Sequence, residues 1–485
     1  MFLSSAIFDT AFRLLFALLA FNNHGATLPE HPNFVVIFID DMGYNDIGPF
    51  GAKGIETPNL DRMAAEGMKF TDFQVSSAVC SASRAALLTG CYHTRVGING
   101  ALMPNRKIGL HPDEMTLAEL CKQKGYATAC YGKWHLGHQP EFMPTRQGFD
   151  EYFGLPYSND MWPYNPRPED PDSRIHSQKF PPLPLYENET VVNADVKGED
   201  QAQLTTQYTE RAVRFIEKNR EKPFLLYMPH SMVHVPLYVS EKFKGKSERG
   251  LYGDVVMELD WSLGQIVESL EKNGVADNTL IVFTSDNGPW LNYGDHAGLA
   301  HPLREGKGTM YEGGCRVPTI MKWPNVIPAG SVCEQMVSSI DLFPTIADRI
   351  EAKRPDKKID GINILPVLKD PKAKLERKYF FHYYGGGKLH AVRDQRWKLH
   401  FPHQYRTLGG RDGGKDGIPV KYDYLKCEMA LYDLDNDIGE TVDVSKDHPD
   451  IVVRLKKAAD ICRAELGDGH MKMAGEGVRQ PGKVE

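Results

Sequence analysis

Short apolar runs alternate along this chain with segments whose apolar residues recur at helical spacing. In "NFVVIFIDD" the run Phe34 to Ile39 is apolar on both faces and ends in two acids. That is the pattern of a strand buried inside a parallel sheet. "TPNLDRMAAEG" predicts a helix, with Thr57 as N-cap, Pro58 at the first helical position and Gly67 as the stop. "MTLAELCKQKG" predicts a helix stopped by Gly125, and "YATACYGKWH" a strand after it. "KPFLLYMPH" and "NTLIVFTSDNG" read as strands on either side of the long amphipathic helix "YGDVVMELDWSLGQIVESLEKNG". The alternation predicts an α/β fold, a large and mostly parallel central sheet with helices on both faces.

The pattern breaks twice. From about Pro156 to Gly198 prolines cluster, as in "WPYNPRPEDPD" and "FPPLPLYEN", which predicts a long loop excursion beside a site. After about Lys353, "HAVRDQRWKLHF" and "ALYDLDNDIGETVDV" read as strands of a smaller antiparallel sheet, and "PDIVVRLKKAADICRAEL" as a terminal amphipathic helix. The expected organisation is a catalytic α/β domain over 32–352, a C-terminal subdomain over 353–470 and a loose tail over 471–485.

Composition adds limits. The chain has 485 residues, 41% hydrophobic and 25% charged, and a net charge of −7, which argues against a general nucleic-acid binder. An anionic small substrate stays open, because a site can be locally cationic on an acidic protein. Arg13 followed by the apolar run Leu14 to Phe21 and the small residues Gly25, Ala26 and Thr27 predicts a secretory signal peptide over 1–26, and hence export to the periplasm or the extracellular space. An ordinary N-terminal helix is the alternative. No later run is long and apolar enough to span a membrane. The eight cysteines show no CxxC or zinc-ribbon spacing, so disulfides are not the framework.

In open parallel sheets, ligands bind beyond the carboxyl ends of the strands. The first strand delivers Asp40 and Asp41 there, the "GKWH" strand Lys133 and His135, the "FLLYMPH" strand His230 and His234, and the "LIVFTSDNG" strand Asp286 and Asn287. Lys307 follows in the Gly-rich loop "REGKGTMYEGG". Each alone reads as a turn, a cap or a solvated end. Together, the acids and asparagine offer hard oxygen ligands suited to Ca²⁺ or Mg²⁺, and the lysines and histidines suit a tetrahedral oxyanion.

"CSASRAALLTG" (residues 80–90) resembles the sulfatase signature, C-x-[P/A]-x-R before a small-residue run. "GKWHLG", "PNFVVIFIDDMGYNDIG", "TPNLDRMAAEG", "FTSDNG" and "GKGTMYEGGCRVP" are similar to further motifs of the same family, in the same order. The resemblance covers about Pro32 to Asp447 and is closest to the arylsulfatase A and galactosamine-6-sulfatase branch. It implies an alkaline phosphatase-like sheet and hydrolysis of sulfate monoesters. It also implies that a maturation enzyme oxidises Cys80 to the aldehyde formylglycine. One hydroxyl of the hydrated aldehyde attacks sulfur and the other expels sulfate, so one hard displacement becomes two easier steps.

By the same resemblance Asp40, Asp41, Asp286 and Asn287 hold the metal, usually Ca²⁺, with Mg²⁺ the alternative and residue 80 completing the shell. Arg84 fixes the aldehyde hydrate, and Lys133 and Lys307 bind sulfate oxygens. His135 is the base, and His234, with Lys307, is the acid; His230 is the rival acid. Asp160, Trp162, His296, His301 and His390 are candidates for gripping a sugar. The runner-up readings are a phosphate or phosphonate ester hydrolase of the same superfamily and a non-catalytic binder of sulfated glycans.

Overall fold

The computed structural model describes residues 31–163 and 180–485. The predicted leader over 1–26 and the middle of the Pro-rich excursion lie outside them. Strand β1 (Asn33–Ile39) is buried along its whole length. Val35, Ile37 and Ile39 share one hydrophobic core with residues of helices α3 (Gly198–Asn219) and α4 (Gly250–Lys272). Phe34 and Phe38 point to the other face, where Arg84 lies over the Phe38 ring, 5.6 Å from its centroid. Each such buried aliphatic or aromatic side chain contributes about 1.5–3 kcal/mol. Covering both faces is what allows a strand with no polar side, and it places the end of β1 in the interior.

The other strands of this sheet are β2 (Met68–Phe70), β3 (Ala127–Tyr131), β4 (Glu151–Gly154), β5 (Leu185–Glu187), β6 (Thr190–Asn193), β7 (Phe224–Pro229), β8 (Thr279–Ser285), β9 (Thr319–Lys322) and β10 (Ser331–Cys333). They form one ten-stranded sheet in the order β10-β2-β9-β8-β1-β7-β3-β4-β5-β6. The block β8-β1-β7-β3-β4 is parallel throughout. Antiparallel pairings flank it, β9 against β8 on one side and the β5–β6 hairpin against β4 on the other. Part of the Pro-rich excursion is therefore edge sheet. Its prolines stand outside β5 and β6, whose outermost strand can tolerate irregular flanks.

Helix α1 (Pro58–Glu66) starts where Thr57 and Pro58 predict, but Thr57 does not cap it. The Thr57 hydroxyl accepts from the Gly48 N–H at 2.9 Å, and Asp260 of α4 takes the free N–H groups of Asn59 and Leu60 at 3.2 and 2.8 Å. A buried carboxylate replaces the local cap and ties α1 to α4.

The C-terminal part builds a four-stranded antiparallel sheet from β11 (Phe380–Tyr384), β12 (Lys388–Arg393), β13 (Trp397–His400) and β14 (Ala430–Asp433). Helix α5 (Pro449–Leu466) packs Val452, Leu455, Ala459 and Cys462 against it. Arg393 of β12 reaches across to the main sheet region. It donates to both Asp72 oxygens at 3.2 and 2.6 Å and to Glu312 at 2.9 Å.

Residues 471–485 are not a loose tail. Gly482–Lys483 pairs with Ile108–Gly109, and the Arg479 guanidinium donates to both oxygens of Glu114 at 2.7 and 2.8 Å. Arg95 meets the same region, bonding Glu465 at 2.6 Å and the Gly477 carbonyl at 3.1 Å. A polar, Gly-rich sequence looks frayed when its distant charge partners are unknown.

Arg393→Met is expected to destabilise the protein by about 3–5 kcal/mol, because it removes the buried guanidinium that bonds both Asp72 oxygens and Glu312. Urea or guanidinium unfolding monitored by circular dichroism checks this.

Candidate active site

Cys80 opens helix α2 (Cys80–Thr89) and is 3% exposed. Its companions Ser81, Ala82, Ser83, Ala85 and Ala86 are small, which lets every residue of this helix sit in the interior. Gly90 ends it in the left-handed region at φ 68°, its N–H on the Ala86 carbonyl. Arg84 lies one turn after Cys80 on the same face. It bonds Asp40 at 3.0 Å, Asp286 at 3.1 and 2.8 Å, and the Lys133 carbonyl at 2.9 Å.

The acids come from neighbouring strand ends. Asp40 and Asp41 follow β1, Asp286 and Asn287 follow β8, and β1 and β8 pair in register up to Ile39 and Ser285. Asp41 holds φ 60°, a left-handed conformation that is strained for a non-glycine residue. Its N–H bonds Asp286 at 3.2 Å, and its carboxylate takes both contacts of Lys307, at 2.6 and 2.8 Å. Asn287 Nδ2 donates to Asp41 at 2.7 Å. Gly288 must be glycine, since a Cβ there would stand 1.8 Å from the Gly313 carbonyl oxygen.

Gly132 ends β3 at φ 141°, where a Cβ would lie 2.0 Å from the Pro229 oxygen. That close approach lets the Lys133 N–H reach the Pro229 carbonyl at 2.7 Å. The Lys133 ammonium bonds Asp40 and, at 3.0 Å, Ser158. His135, at φ 60°, donates Nε2–H to the Leu102 carbonyl at 3.0 Å. A carbonyl only accepts, so the neutral ring carries its lone pair on Nδ1, which is buried and has no hydrogen bond. Leu102 is itself fixed, its N–H bonding Ser81 of α2 at 3.0 Å.

His234 donates Nδ1–H to the Val235 carbonyl at 2.6 Å and turns Nε2 toward Asp41, 3.6 Å away. Its ring meets the Trp290 edge, and the Lys307 ammonium lies over the same indole at 4.5 Å. His230 stands apart. Both of its ring nitrogens lack hydrogen bonds, its ring neighbour is Tyr208, and burial pushes its pKa down to about 3. The geometry therefore separates the two histidines: His234 joins the acidic cluster and His230 does not.

The charges hold one another. Burial would raise Asp40, but Lys133 and Arg84 outweigh it and hold its carboxyl well below the ordinary range. Burial and the adjacent Asp40 push Asp286 up to about 7, against the pull of Arg84. Burial opposes a charged Lys307, yet Asp41 keeps it protonated above its ordinary value. Burial, then Lys133 and Arg84, hold His135 well below its ordinary value; burial and Lys307 lower His234. Burial also raises the Cys80 thiol, opposed by Lys133 and Lys307.

Asp40 Oδ1 and Asn287 Oδ1 are buried and have no hydrogen-bond partner. Unpaired oxygens of this kind are costly, and a hard divalent cation is the partner that carboxylate and amide oxygens fit.

The expected sugar contacts divide. Asp160 is close enough to act electrostatically on His234, and Trp162 packs on Tyr238. His301 is exposed, and His296 ends a short helical turn beside Gly417. His390 stacks on His403 with ring centroids 4.0 Å apart, and Tyr384, whose ring also meets His390, packs beside Val79, Cys80 and Ala82. Sequence reading missed Ser158, Trp290, Tyr384 and Arg406. Arg406 donates to the Lys307 carbonyl, Nε at 2.9 Å. Trp290 was within reach, two residues beyond "DNG".

Residues 32–352 match the family model described as Sulfatase. The chain belongs to the sulfatase family. Two C-terminal models of the family also match, that of N-sulphoglucosamine sulphohydrolase over 305–409 and that of aryl-sulfatase over 375–480. The sulfatase chain is 42% identical to human N-acetylgalactosamine-6-sulfatase over 77% of its own length and 72% of the relative's. It is 35% identical to human arylsulfatase A, covering 93% and 91%. A crystal structure of a Pseudoalteromonas sp. sulfatase superposes with a TM-score of 0.80 at 27% identity, over 90% of each chain. The fold is alkaline phosphatase-like, shared also with a phosphonate monoester hydrolase of Agrobacterium radiobacter at TM-score 0.59 and 20% identity. As a sulfatase, the protein is an enzyme that hydrolyses sulfate esters.

Proposed function

We propose that this sulfatase removes sulfate from a carbohydrate ester, using a formylglycine made from Cys80 and a divalent cation, Ca²⁺ in the first instance. The observation that carries the reading is the pair of unpartnered buried oxygens, Asp40 Oδ1 and Asn287 Oδ1, inside a cluster whose lysines Lys133 and Lys307 act electrostatically on Cys80. The carbohydrate substrate is favoured by the names of the relatives. A solved structure at 29% identity and TM-score 0.73, over 92% of this chain and 95% of that one, is a complex with k-i-k-neocarrahexaose. Export is part of the same proposal, and among the described residues no helix is long and apolar enough to cross a membrane.

Asp40, Asp41, Asp286 and Asn287 would hold the cation, which polarises an ester oxygen and gives the site surplus positive charge for an anionic substrate. A hydrated aldehyde at residue 80 supplies two hydroxyls on one carbon, a nucleophile and its own means of release. The remaining work falls to side chains already in place. Arg84 keeps two buried acids apart in charge and anchors the start of α2 to two strand ends. Lys133 stands as a point charge on Asp40 and Lys307 on Asp41, where sulfate oxygens can exchange with their carboxylate contacts. His135, neutral and with Nδ1 free, accepts a proton as general base. His234 with Lys307 delivers a proton to the leaving alcohol. A bound anionic ester favours the protonated form of His234, countering the burial that lowers it.

Three outcomes test this reading. Mass spectrometry of the peptide spanning residue 80 in active enzyme should show the aldehyde in place of the thiol; a fully active protein with an intact thiol defeats the mechanism. Asp40→Ala should lower bound calcium and sulfate release together, by about a hundredfold or more in rate, as measured by elemental analysis and sulfate assay; unchanged metal content moves the site elsewhere. His234→Ala should slow a sugar sulfate far more than a nitrophenyl sulfate, whose phenolate leaves unaided, whereas His135→Ala should slow both after a burst of alcohol. Burst and steady-state kinetics on the two esters separate these cases, and equal losses for His234→Ala remove it as the acid.

A further inference from the structure

The described residues contain two more groups of metal-ligand type away from the active site. In one, Glu312 with Cys315 and His382, the carboxylate is already committed to Arg393, Lys398 and Gln74. The other is different. His400 ends β13, His403 opens the strand His403–Thr407, and Cys427 ends its antiparallel partner Asp423–Cys427. One nitrogen of each ring and the Cys427 sulfur all lie within 4.8 Å of one another.

We propose that His400, His403 and Cys427 form a second metal site, for a cation of the zinc class. The placement follows from the backbone. His403 stands directly opposite Cys427 in the strand register, where paired side chains project to the same face. His400 is brought back by the turn Phe401–Pro402, giving a short H-x-x-H spacing. All three side chains are buried, at 0%, 5% and 6% exposure.

Each imidazole has one nitrogen held by a hydrogen bond and the other unused. His400 donates Nε2–H to Glu440 at 2.9 Å, and His403 donates Nδ1–H to the Phe401 carbonyl at 2.7 Å. A carboxylate or carbonyl on the far nitrogen is the usual outer support of a metal-bound histidine. The nitrogens left over, His400 Nδ1 and His403 Nε2, are buried and have no hydrogen bond. The Tyr311 ring stacks on His400, with centroids 4.6 Å apart, and closes that side.

The donor set selects the ion. Two imidazoles and a sulfur suit zinc or a neighbouring transition metal, not the calcium or magnesium that the oxygen cluster fits. Tetrahedral zinc brings its nitrogen and sulfur ligands to roughly 3.3–3.6 Å from one another, so the group needs only to draw in by about an ångström. Cys427 now donates its S–H to the Glu428 carbonyl at 3.1 Å. On binding, that proton is released to solvent and the thiolate bonds the metal, with no change of oxidation state. Three protein ligands leave a fourth position for water. The site would brace the hairpin carrying Arg406, whose guanidinium holds the Lys307 carbonyl.

The full-length protein, stripped with a chelator, is titrated with Zn²⁺ and, separately, with Co²⁺. The expected result is one tightly held equivalent of zinc beyond the hard cation, and a thiolate-to-cobalt charge-transfer band. Cys80→Ser should keep that band. Cys427→Ser and His403→Gln should lose the band and the zinc equivalent while retaining calcium. If those variants do not fold, the Cys80→Ser protein decides: a charge-transfer band supports the site. No stoichiometric zinc, cobalt bands without the thiolate transition, or a band that vanishes in Cys80→Ser overturns it.

Discussion

Three carboxylates buried side by side at one end of a parallel sheet are the constraint around which this molecule is arranged. Asp40, Asp41 and Asp286 cannot all be ionised in the interior unless positive charge is brought to them. Arg84, Lys133 and Lys307 bring it, each from a different element, and each by direct contact. The helix that starts at Cys80 is thereby locked to the ends of β1 and β8. Position 80 and the oxygen cluster are set by the same ion pairs, so neither moves without the other.

The same economy of charge extends outward. Lys307 lies on a loop whose carbonyl is held by Arg406, and that arginine belongs to the C-terminal part of the chain. Arg393 ties the small sheet to Asp72 and Glu312, and Lys398 continues the line to Glu440 and His400. The small sheet is thus a wall of the site region, and its buried charges are satisfied only when it is docked. The loop carrying Gly306 and Gly308 meets the segment leading into α2, with the Gly308 N–H on the Ala78 carbonyl at 2.9 Å.

Much of this is legible in the sequence. The parallel block follows from apolar runs such as "FVVIFI", and the site cluster from asking what stands at each strand end. Patterning could not show that β9 runs antiparallel, because a strand with both faces buried looks alike in either direction. Nor could it show that Thr57 serves Gly48 while Asp260 caps α1, since the partner is 200 residues away. Trp290, Ser158 and Arg406 carry no motif of their own. They matter because of what they touch: the indole under Lys307, the hydroxyl on Lys133, the guanidinium on a carbonyl. Of the sugar-contact candidates, Asp160 acts on His234, whereas His296 and His301 make none of the described contacts of the cluster. His390 belongs to a histidine stack built by strand pairing, which single-sequence spacing does not reveal.

The clasp between residues 477–483 and the segment around Cys91, Arg95 and Gly109 has a consequence in time. Arg479 reaches Cys91 across 388 positions of chain. At ordinary ribosomal speeds, that separation is an interval on the order of 20–80 s. Throughout it the segment just past the Cys80 helix exists without the strand and guanidinium that later close it. A newly made chain therefore passes through a stage in which this flank is open, and its closing is a late event of biosynthesis.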